Sequence, residues 1–390
     1  MNTQKTRTTS FIYTPLLLLV LAMLLSACSP KTNTTGTPPS ADTTTPAPAL
    51  ADTSAIQAEK VTSAIWDIAS QLLVLQAQQF SLLDNELTEL VKNPSQQQLQ
   101  RAQEQWHNSY QVFMQLSPLL YLSSKYHPEL ASLRQWRATI APWPIQPGYI
   151  DYYGNYRYSG IIHAIAIPLT ATGIRRQHGL TQKEDVLLGL HAIEYLLWGE
   201  KGSRLFDDFN AVMQLPDTIA DPTITVDALP NNRRRQLLLL QSKLLLQDSK
   251  KLHHLWQPKQ PIGLAFLQIP ATHRLTAINE SVSYFLQQWA LFLIAEDSGI
   301  LESNESINAY AAQRHIALEK AVGTIKRIYF DAPTQLATLL LPPEMQTALK
   351  NTLDIAQQEL IKNTQASLND SSAQLLQAVT LLSNNEELTR

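Results

Sequence analysis

The sequence is poor in residues that form cross-links and tight turns. Only one of its 390 residues is cysteine, and only 12 are glycine. A single thiol cannot build a disulfide framework within the chain. One long apolar run occurs, at residues 16–25, and it is too short to span a bilayer as a mature helix. No other segment of the sequence is long and apolar enough to cross a membrane.

Charge of one sign is not concentrated anywhere in the sequence. The chain carries 30 basic and 33 acidic residues, and its formal net charge is −3 at pH 7. Nucleic-acid binding needs a basic patch or stripe, so the sequence predicts no nucleic-acid partner. The short basic run Arg233–Arg235 is more typical of a solvated helix start.

The amino terminus has the order of a secretory signal. Lys5 and Arg7 precede the apolar run, and small residues follow it. A basic segment, a short apolar core and a small-residue cleavage point together predict a signal peptide over residues 1–27.

The one cysteine, Cys28, follows this signal directly. Leu25-Ser26-Ala27-Cys28 resembles a bacterial lipobox, in which the cysteine becomes the lipidated first residue of the mature protein. The alternative is an ordinary signal peptide with a chance cysteine. Ser29 stands where an aspartate would favour the inner membrane. We therefore expect a lipoprotein held by its lipid anchor on the periplasmic side of the outer membrane.

Residues 28–54 predict a disordered tether. They are rich in threonine, proline and alanine, and they hold too little apolar surface to fold. With Cys28 lipidated, the mature chain has no free thiol. Any metal would then need histidine, carboxylate, tyrosine or backbone oxygen ligands, which suit iron, zinc, calcium or manganese better than Cu(I).

Apolar residues recur at helical spacing through most of the remaining chain, and almost nothing has the alternation of a strand. The sequence therefore predicts an all-α fold of two helical-bundle domains. These domains span residues 55–200 and 232–390, and the aperiodic segment 201–231 is a linker. The predicted helices cover 56–92, 97–116, 129–140, 160–167, 181–198, 233–256, 273–295, 304–328, 344–362 and 371–382.

One strongly apolar segment, GLHAIEYLLWGE at residues 189–200, carries His191 and Glu194. Residues three apart share one helix face, so an imidazole and a carboxylate can bind one ion there. The flanking residues are apolar almost all round, which predicts a buried helix whose carboxylate needs a partner. The spacing leaves open whether that partner is a metal ion, His191 itself or a tyrosine of residues 149–158.

Familiar catalytic motifs are missing from the sequence. It has no His-Glu-x-x-His, no Gly-x-Ser-x-Gly elbow, no phosphate loop and no EF-hand loop. A metal site would therefore need further ligands from distant sequence. The candidates are His163, Asp151, Glu280, Glu296, Asp297, His315 and Glu319.

Residues 189–199 resemble the signature of the imelysin family, bacterial periplasmic proteins and lipoproteins marked by Gly-x-His-x-x-Glu. Trp106 with Tyr110 is similar to a second family segment, and Pro142-Trp143-Pro144 leading to Tyr149-Ile150-Asp151 is similar to a third. The resemblance implies an all-helical fold of two bundle-like domains, with the signature helix near their interface.

The resemblance also implies a metal site that uses His191 and Glu194. Gly189, Trp198 and Gly199 are the supporting residues of the motif. The metal would be a divalent or ferric ion, either iron or zinc. Further candidates for the site are Trp106, Tyr149, Asp151 and His163.

Members of this family are classed as metallopeptidases or as iron-regulated proteins of iron uptake. We therefore expect a lipid-anchored periplasmic protein that binds iron in uptake or sensing, with an iron or other metal transport system as its partner. One alternative is a zinc metallopeptidase of the imelysin type. The other is a helical scaffold lipoprotein whose His–Glu pair is purely structural.

Overall fold

The computed structural model describes residues 48–298 and 311–383, apart from residues 218 and 220. These residues are mostly helical and contain no sheet, which confirms the all-α class; an isolated β-bridge joins Tyr153 and Tyr156. The predicted signal peptide and residues 28–47 of the predicted tether lie outside the described residues, whereas residues 48–54 belong to the first helix. None of the described helices has the length and apolarity to cross a membrane.

Thirteen α-helices lie within the described ranges. They are α1 (Pro48–Lys92), α2 (Gln96–Leu116), α3 (Ala131–Ile140), α4 (Pro147–Ile150), α5 (Ala171–Gln177), α6 (Leu190–Trp198), α7 (Pro230–Trp256), α8 (Pro261–Gln268), α9 (Ala271–Asp297), α10 (Ala311–Phe330), α11 (Leu336–Leu340), α12 (Pro343–Lys362) and α13 (Gln365–Ser383). Local signals set several of the starts. The Ser95 hydroxyl accepts a hydrogen bond from the amide of Gln98 at α2, and proline is the first residue of α7, α8 and α12.

The chain from Pro48 onward forms one compact unit, and its buried apolar residues make a continuous core. Helix α1 packs on α2, α7 and α9, while α2 also packs on α10. Helix α13 packs on both α9 and α12. Helices from the two predicted domains thus share one apolar core, and the division at residues 201–231 stays a prediction.

An aromatic stack joins the first helix to the second half of the chain. The Trp66 ring of α1 stacks on Trp256 at a centroid distance of 3.8 Å and on Phe266 at 4.1 Å. Further along α1 and α7, the Gln76 side-chain amide donates a hydrogen bond to the Ser249 hydroxyl at 3.0 Å. Both contacts are buried, so they contribute to the packing of α1 against α7 and α8.

The predicted helix over residues 160–167 is wrong, because this segment forms a series of turns. The buried guanidinium of Arg233, at the start of α7, donates hydrogen bonds to four carbonyl oxygens of the segment 160–167. These belong to Ile161, Ile162, Ala164 and Ile167. An arginine side chain therefore supplies the donors that a helix would have supplied from its own backbone.

The predicted helix over residues 181–198 is wrong in its first half, since α6 begins only at Leu190. Residues 181–183 are exposed and polar, whereas Val186, Leu187 and Leu188 are buried and apolar, and periodicity alone cannot distinguish such a short run from a helix. The backbone of Leu187 is bonded to side chains instead. The Leu187 amide donates to His178 Nδ1 at 3.1 Å, and the Leu187 carbonyl accepts from Gln241 Nε2 at 2.9 Å.

The basic run at the start of α7 is not a solvated face, so that expectation is also wrong. Arg233 and Arg234 are buried. Arg235 donates to the carbonyl of Val91 at the end of α1 and to that of Phe209 at 2.7 Å. All three guanidinium groups therefore hold other segments against α7.

We expect Trp256→Ala to lower the free energy of unfolding by about 3–5 kcal/mol, because it leaves a cavity beside Trp66 and Phe266. Guanidinium unfolding followed by circular dichroism should remain a single transition at a lower midpoint if one core is shared. As a control, Ile361→Ala removes a side chain that is 67% exposed and should change the value by less than about 0.5 kcal/mol. Two transitions, only one of them shifted, would instead indicate two independent domains.

Candidate functional site

Glycine at each end sets the bounds of α6. Gly189 has φ +83° and Gly199 has φ +67°, in the left-handed region that favours glycine. A Cβ atom at Gly189 would lie only 2.6 Å from Pro142 Cδ and 2.7 Å from the Ile140 carbonyl oxygen. The first glycine of the motif therefore lets α6 start in direct contact with the chain that leads to Trp143.

His191 and Glu194 lie side by side on α6, each only 3% exposed. His191 Nδ1 and Glu194 Oε2 are 2.6 Å apart. A carboxylate only accepts hydrogen bonds, so Nδ1 carries the proton in this pair and Nε2 carries the lone pair. Burial lowers the pKa of His191, although the hydrogen bond to Glu194 acts against this, so the ring is neutral at pH 7. The pair leaves Nε2 as the ring nitrogen available to a ligand.

Arg314 of α10 lies beside Glu194. Arg314 Nη2 is 4.0 Å from Glu194 Oε1. Among the described residues, neither that oxygen nor Arg314 Nη1 has a hydrogen-bond partner. The guanidinium carbon lies 4.3 Å from the centroid of the Trp143 ring. A fixed positive charge therefore stands next to the His–Glu pair.

Aromatic residues hold His191 in place. Trp106 Nε1 of α2 donates a hydrogen bond to the Leu190 carbonyl at 2.7 Å, which ties α2 to the start of α6. The rings of Tyr110 and Trp143 meet the imidazole edge-on at centroid distances of 5.3 and 5.2 Å. The ring of His191 is thus confined on several sides.

The motif residue Trp198 packs near the opposite end of α6. Its ring lies 5.5 Å from that of Trp106 and 5.1 Å from that of His107, measured between centroids. Burial lowers the pKa of His107 to about 4, while the charge of Glu194 acts in the opposite direction. His107 is therefore a neutral packing partner at pH 7.

A cavity of about 420 Å³ opens beside His191. Its walls come from α2, α3, α6, α9 and α10, and from Tyr121, Ala141 and Trp143 between helices. Seven of its lining residues are aromatic, and its charged lining residues are Arg137 and Arg314. No carboxylate belongs to the lining within the part of the chain that the structure describes.

Asp151 and His163 lie together, in a separate cluster of charges. Asp151 Oδ2 is 2.9 Å from Arg204 Nη2 and 2.7 Å from Arg234 Nε, and Asp151 Oδ1 is 3.5 Å from His163 Nε2. Burial alone would raise the pKa of Asp151, but the nearby His163 ring and the two guanidinium charges hold it well below its usual range. These residues are not part of the cavity lining.

The other candidate ligands already have protein partners. The partners are Gln177 for Tyr149, Lys125 and Tyr126 for Glu280, Asn363 for His315 and Gln357 for Glu319. Burial raises the pKa of Glu296, although the charge of Arg314 acts against this. The side chain of Asp297 lies outside the described residues. None of the described candidates reaches the cavity lining.

His191 and Glu194 do not fit a resident metal ion held by the protein alone. Zinc sites use at least three protein ligands. Within residues 48–298 and 311–383, no group of three or more His, Cys, Asp or Glu side chains could hold a metal ion. Glu194 is already bonded to His191 and lies next to Arg314. An ion at this place would have to bring most of its own ligands.

Sequence reasoning missed the two arginines of the cavity. Arg137 and Arg314 stand in ordinary amphipathic helices far from the motif, so nothing in their local sequence marks them. Tyr110 and Trp143 did carry a signal, because both stand in segments that are similar to segments of the family.

Comparisons with known proteins agree with this fold and motif. The imelysin family model matches residues 74–387, which include every residue of the cavity. The crystal structure of a protein described as an iron-regulated protein A precursor, from Parabacteroides distasonis ATCC 8503, is similar with a TM-score of 0.60 and 12% identity. That match covers 85% of this chain and 94% of the other, and at this identity it shows the fold alone. No curated protein matches the sequence.

We expect Asp151→Asn to lower the free energy of unfolding at pH 7 by about 3–5 kcal/mol, because Arg204 and Arg234 lose their buried counter-charge. The folded-state pKa of Asp151 is depressed, so its stabilisation is present above the unfolded pKa of 3.8 and is lost as the pH falls further. Urea unfolding at pH 7 and pH 3 should therefore show a smaller difference from wild type at pH 3. The exposed Asp67→Asn is the control, and an equal effect of both variants would contradict the ionic role of Asp151.

Proposed function

The chain belongs to the imelysin family, and we propose that it is a lipid-anchored periplasmic protein that binds iron as cargo, in uptake or in sensing. The observation that carries this proposal is the geometry of the motif pair. The carboxylate of Glu194 accepts a hydrogen bond from the Nδ1–H of His191, so that the free Nε2 is available beside a cavity of about 420 Å³. A carboxylate that orients a ligating histidine in this way is a recurrent feature of metal-binding proteins.

The chain's own residues position the histidine and shape the space around it. Glu194 fixes the tautomer and the rotation of the ring, while Tyr110 and Trp143 confine it. Iron would accept Nε2 as one ligand and would take its remaining ligands from the molecule that delivers it. The similarity to an iron-regulated protein A precursor supports a link to iron, and the aromatic cavity supports binding over a purely structural role.

The zinc metallopeptidase remains the second candidate, and the donor set argues against it. Catalytic zinc needs three protein ligands and an open position for water. In this structure the motif leaves one free nitrogen, and the second oxygen of Glu194 lies 4.0 Å from a guanidinium nitrogen. A general base would also have to come from residues that do not line the cavity.

Iron retention tests the proposed binding. The mature chain is incubated with ferric citrate, desalted and analysed for iron per chain. We expect His191→Ala to lose the bound iron and Glu194→Gln to weaken its retention about tenfold to a hundredfold, because the glutamine no longer fixes the tautomer. His273→Ala changes an exposed histidine on α9 and should retain iron like wild type.

The same preparations separate the alternatives. Equal, near-zero iron in wild type and in both motif variants would contradict the proposal. Digestion of casein by the zinc-loaded chain, abolished by a chelator and by His191→Ala, would favour the peptidase instead.

Fractionation of cells tests the proposed anchor at Cys28. A diacylated or triacylated cysteine holds a protein on a membrane, so Cys28→Ser should move the protein from the outer-membrane fraction to the soluble periplasmic fraction. Ser29→Asp keeps the lipid and should move the protein to the inner membrane. Membrane association of Cys28→Ser equal to that of wild type would contradict lipid anchoring.

A further inference from the structure

The cavity beside His191 is unusual in the sign of its charge. Its lining contains two guanidinium groups, those of Arg137 and Arg314, and among the described lining residues no carboxylate. Glu194 lies 4.0 Å from one of them, but its other oxygen is already engaged by His191. A bare cation would therefore enter a site whose nearest fixed charges repel it.

Both arginines are held by aromatic rings and keep unused donors. Arg314 Cζ lies 4.3 Å from the centroid of Trp143, and Arg137 Cζ lies 5.0 Å from that of Tyr121. Arg314 Nη1 and Arg137 Nε are buried, and neither has an acceptor among the described residues. The Arg314 side chain is only 5% exposed. Buried donors without acceptors are costly, so a ligand oxygen that hydrogen-bonds to one of them gains more than it would in water.

The two charges act on the same part of the cavity. Burial raises the pKa of Tyr110 to about 12, and the charges of Arg314 and Arg137 both act against this rise. Tyr110, His191 and both guanidinium groups line the same cavity, and the Tyr110 ring lies 5.3 Å from that of His191.

The remaining walls fix the shape of a suitable ligand. Seven aromatic side chains line about 420 Å³, which is enough for a small organic molecule. Tyr284, Trp289 and Phe292 supply apolar aromatic surface against which a flat, apolar body can pack. Guanidinium groups recognise carboxylates through paired, charge-assisted hydrogen bonds.

We propose that this cavity binds a small organic anion, with a carboxylate at Arg137 and Arg314 and a flat body between the aromatic rings. The proposal deepens the proposed function, on which it rests for the choice of site: it names the class of ligand. The anion can arrive alone or as the chelating part of an iron complex, and His191 Nε2 would reach the metal only in the second case.

Three probes of one shape and different charge test the proposal without any metal. They are 2-naphthoate, 2-naphthamide and 2-naphthylmethylammonium, titrated into the mature chain and followed by tryptophan fluorescence and calorimetry. Trp143 and Trp289 line the cavity and provide the signal. We expect naphthoate to bind about tenfold to a hundredfold more tightly than the amide, and the ammonium probe to bind most weakly.

Arginine variants locate the binding. Arg314→Gln and Arg137→Gln should each weaken naphthoate binding about tenfold to a hundredfold and leave amide binding nearly unchanged. Arg314→Lys keeps the charge and should restore part of the affinity. Arg101→Gln changes an exposed arginine on α2, the helix that also carries Tyr110, and should bind naphthoate like wild type. Thermal unfolding of each variant shows whether it is folded. If Arg314→Gln is not folded, Arg137→Gln alone provides the test.

Two further outcomes separate this inference from the iron proposal. Iron retention that depends on His191, without preference for naphthoate over the other probes, would overturn the anion proposal and leave the iron proposal intact. If naphthoate binding depends on the arginines but no iron is retained from ferric citrate, the iron proposal is overturned and the anion proposal stands. Comparing citrate with ferric citrate then shows whether the anion binds free or as an iron chelate.

Discussion

The fold depends on hydrogen-bond partners for the backbone amides and carbonyls of its least regular part. Residues 141–189 contain little helix, yet parts of this stretch, including residues 150–151, 161–162 and 186–188, are buried. A buried carbonyl or amide without a partner costs free energy, so each needs a donor or acceptor from elsewhere. Arg233–Arg235 at the start of α7 provide many of them, since they bind the carbonyls of 161–167, the carboxylate of Asp151 and the end of α1. One turn of helix thereby holds the irregular segments around residues 151 and 161–167 against α7.

Buried charges are fully paired in one place in this structure and only partly paired in another. Around Asp151 the arrangement is closed, because two guanidinium groups and an imidazole surround the carboxylate. Beside His191 it is open, because guanidinium donors remain unused among the described residues and the carboxylate of Glu194 is shared between His191 and Arg314. A closed cluster contributes to stability and specificity of packing, whereas an open one is typical of a place where a ligand supplies the missing charge.

Much of the helical framework could be predicted from the sequence, since long amphipathic periods such as 56–92 and 344–362 survive in α1 and α12. The irregular segments could not, because a buried apolar run has the same composition whether it is helical or bonded to side chains. For the site, the motif identified His191 with Glu194 as neighbours. Their environment depends on α3 and α10, which only tertiary packing brings to them, so the sign of the cavity's charge had no local signature.

Gly189 has a consequence for how the site would respond to its ligand. Its missing side chain lets α6 start against the backbone at Ile140 and Pro142, so the histidine and the Trp143 ring stand on chain segments that touch. Such contact fixes the backbone of these two segments during folding, so the entropy of ordering them is not lost again when a molecule enters. This side of the cavity is therefore preorganised: a ligand would meet His191 and Trp143 on walls that are already in place.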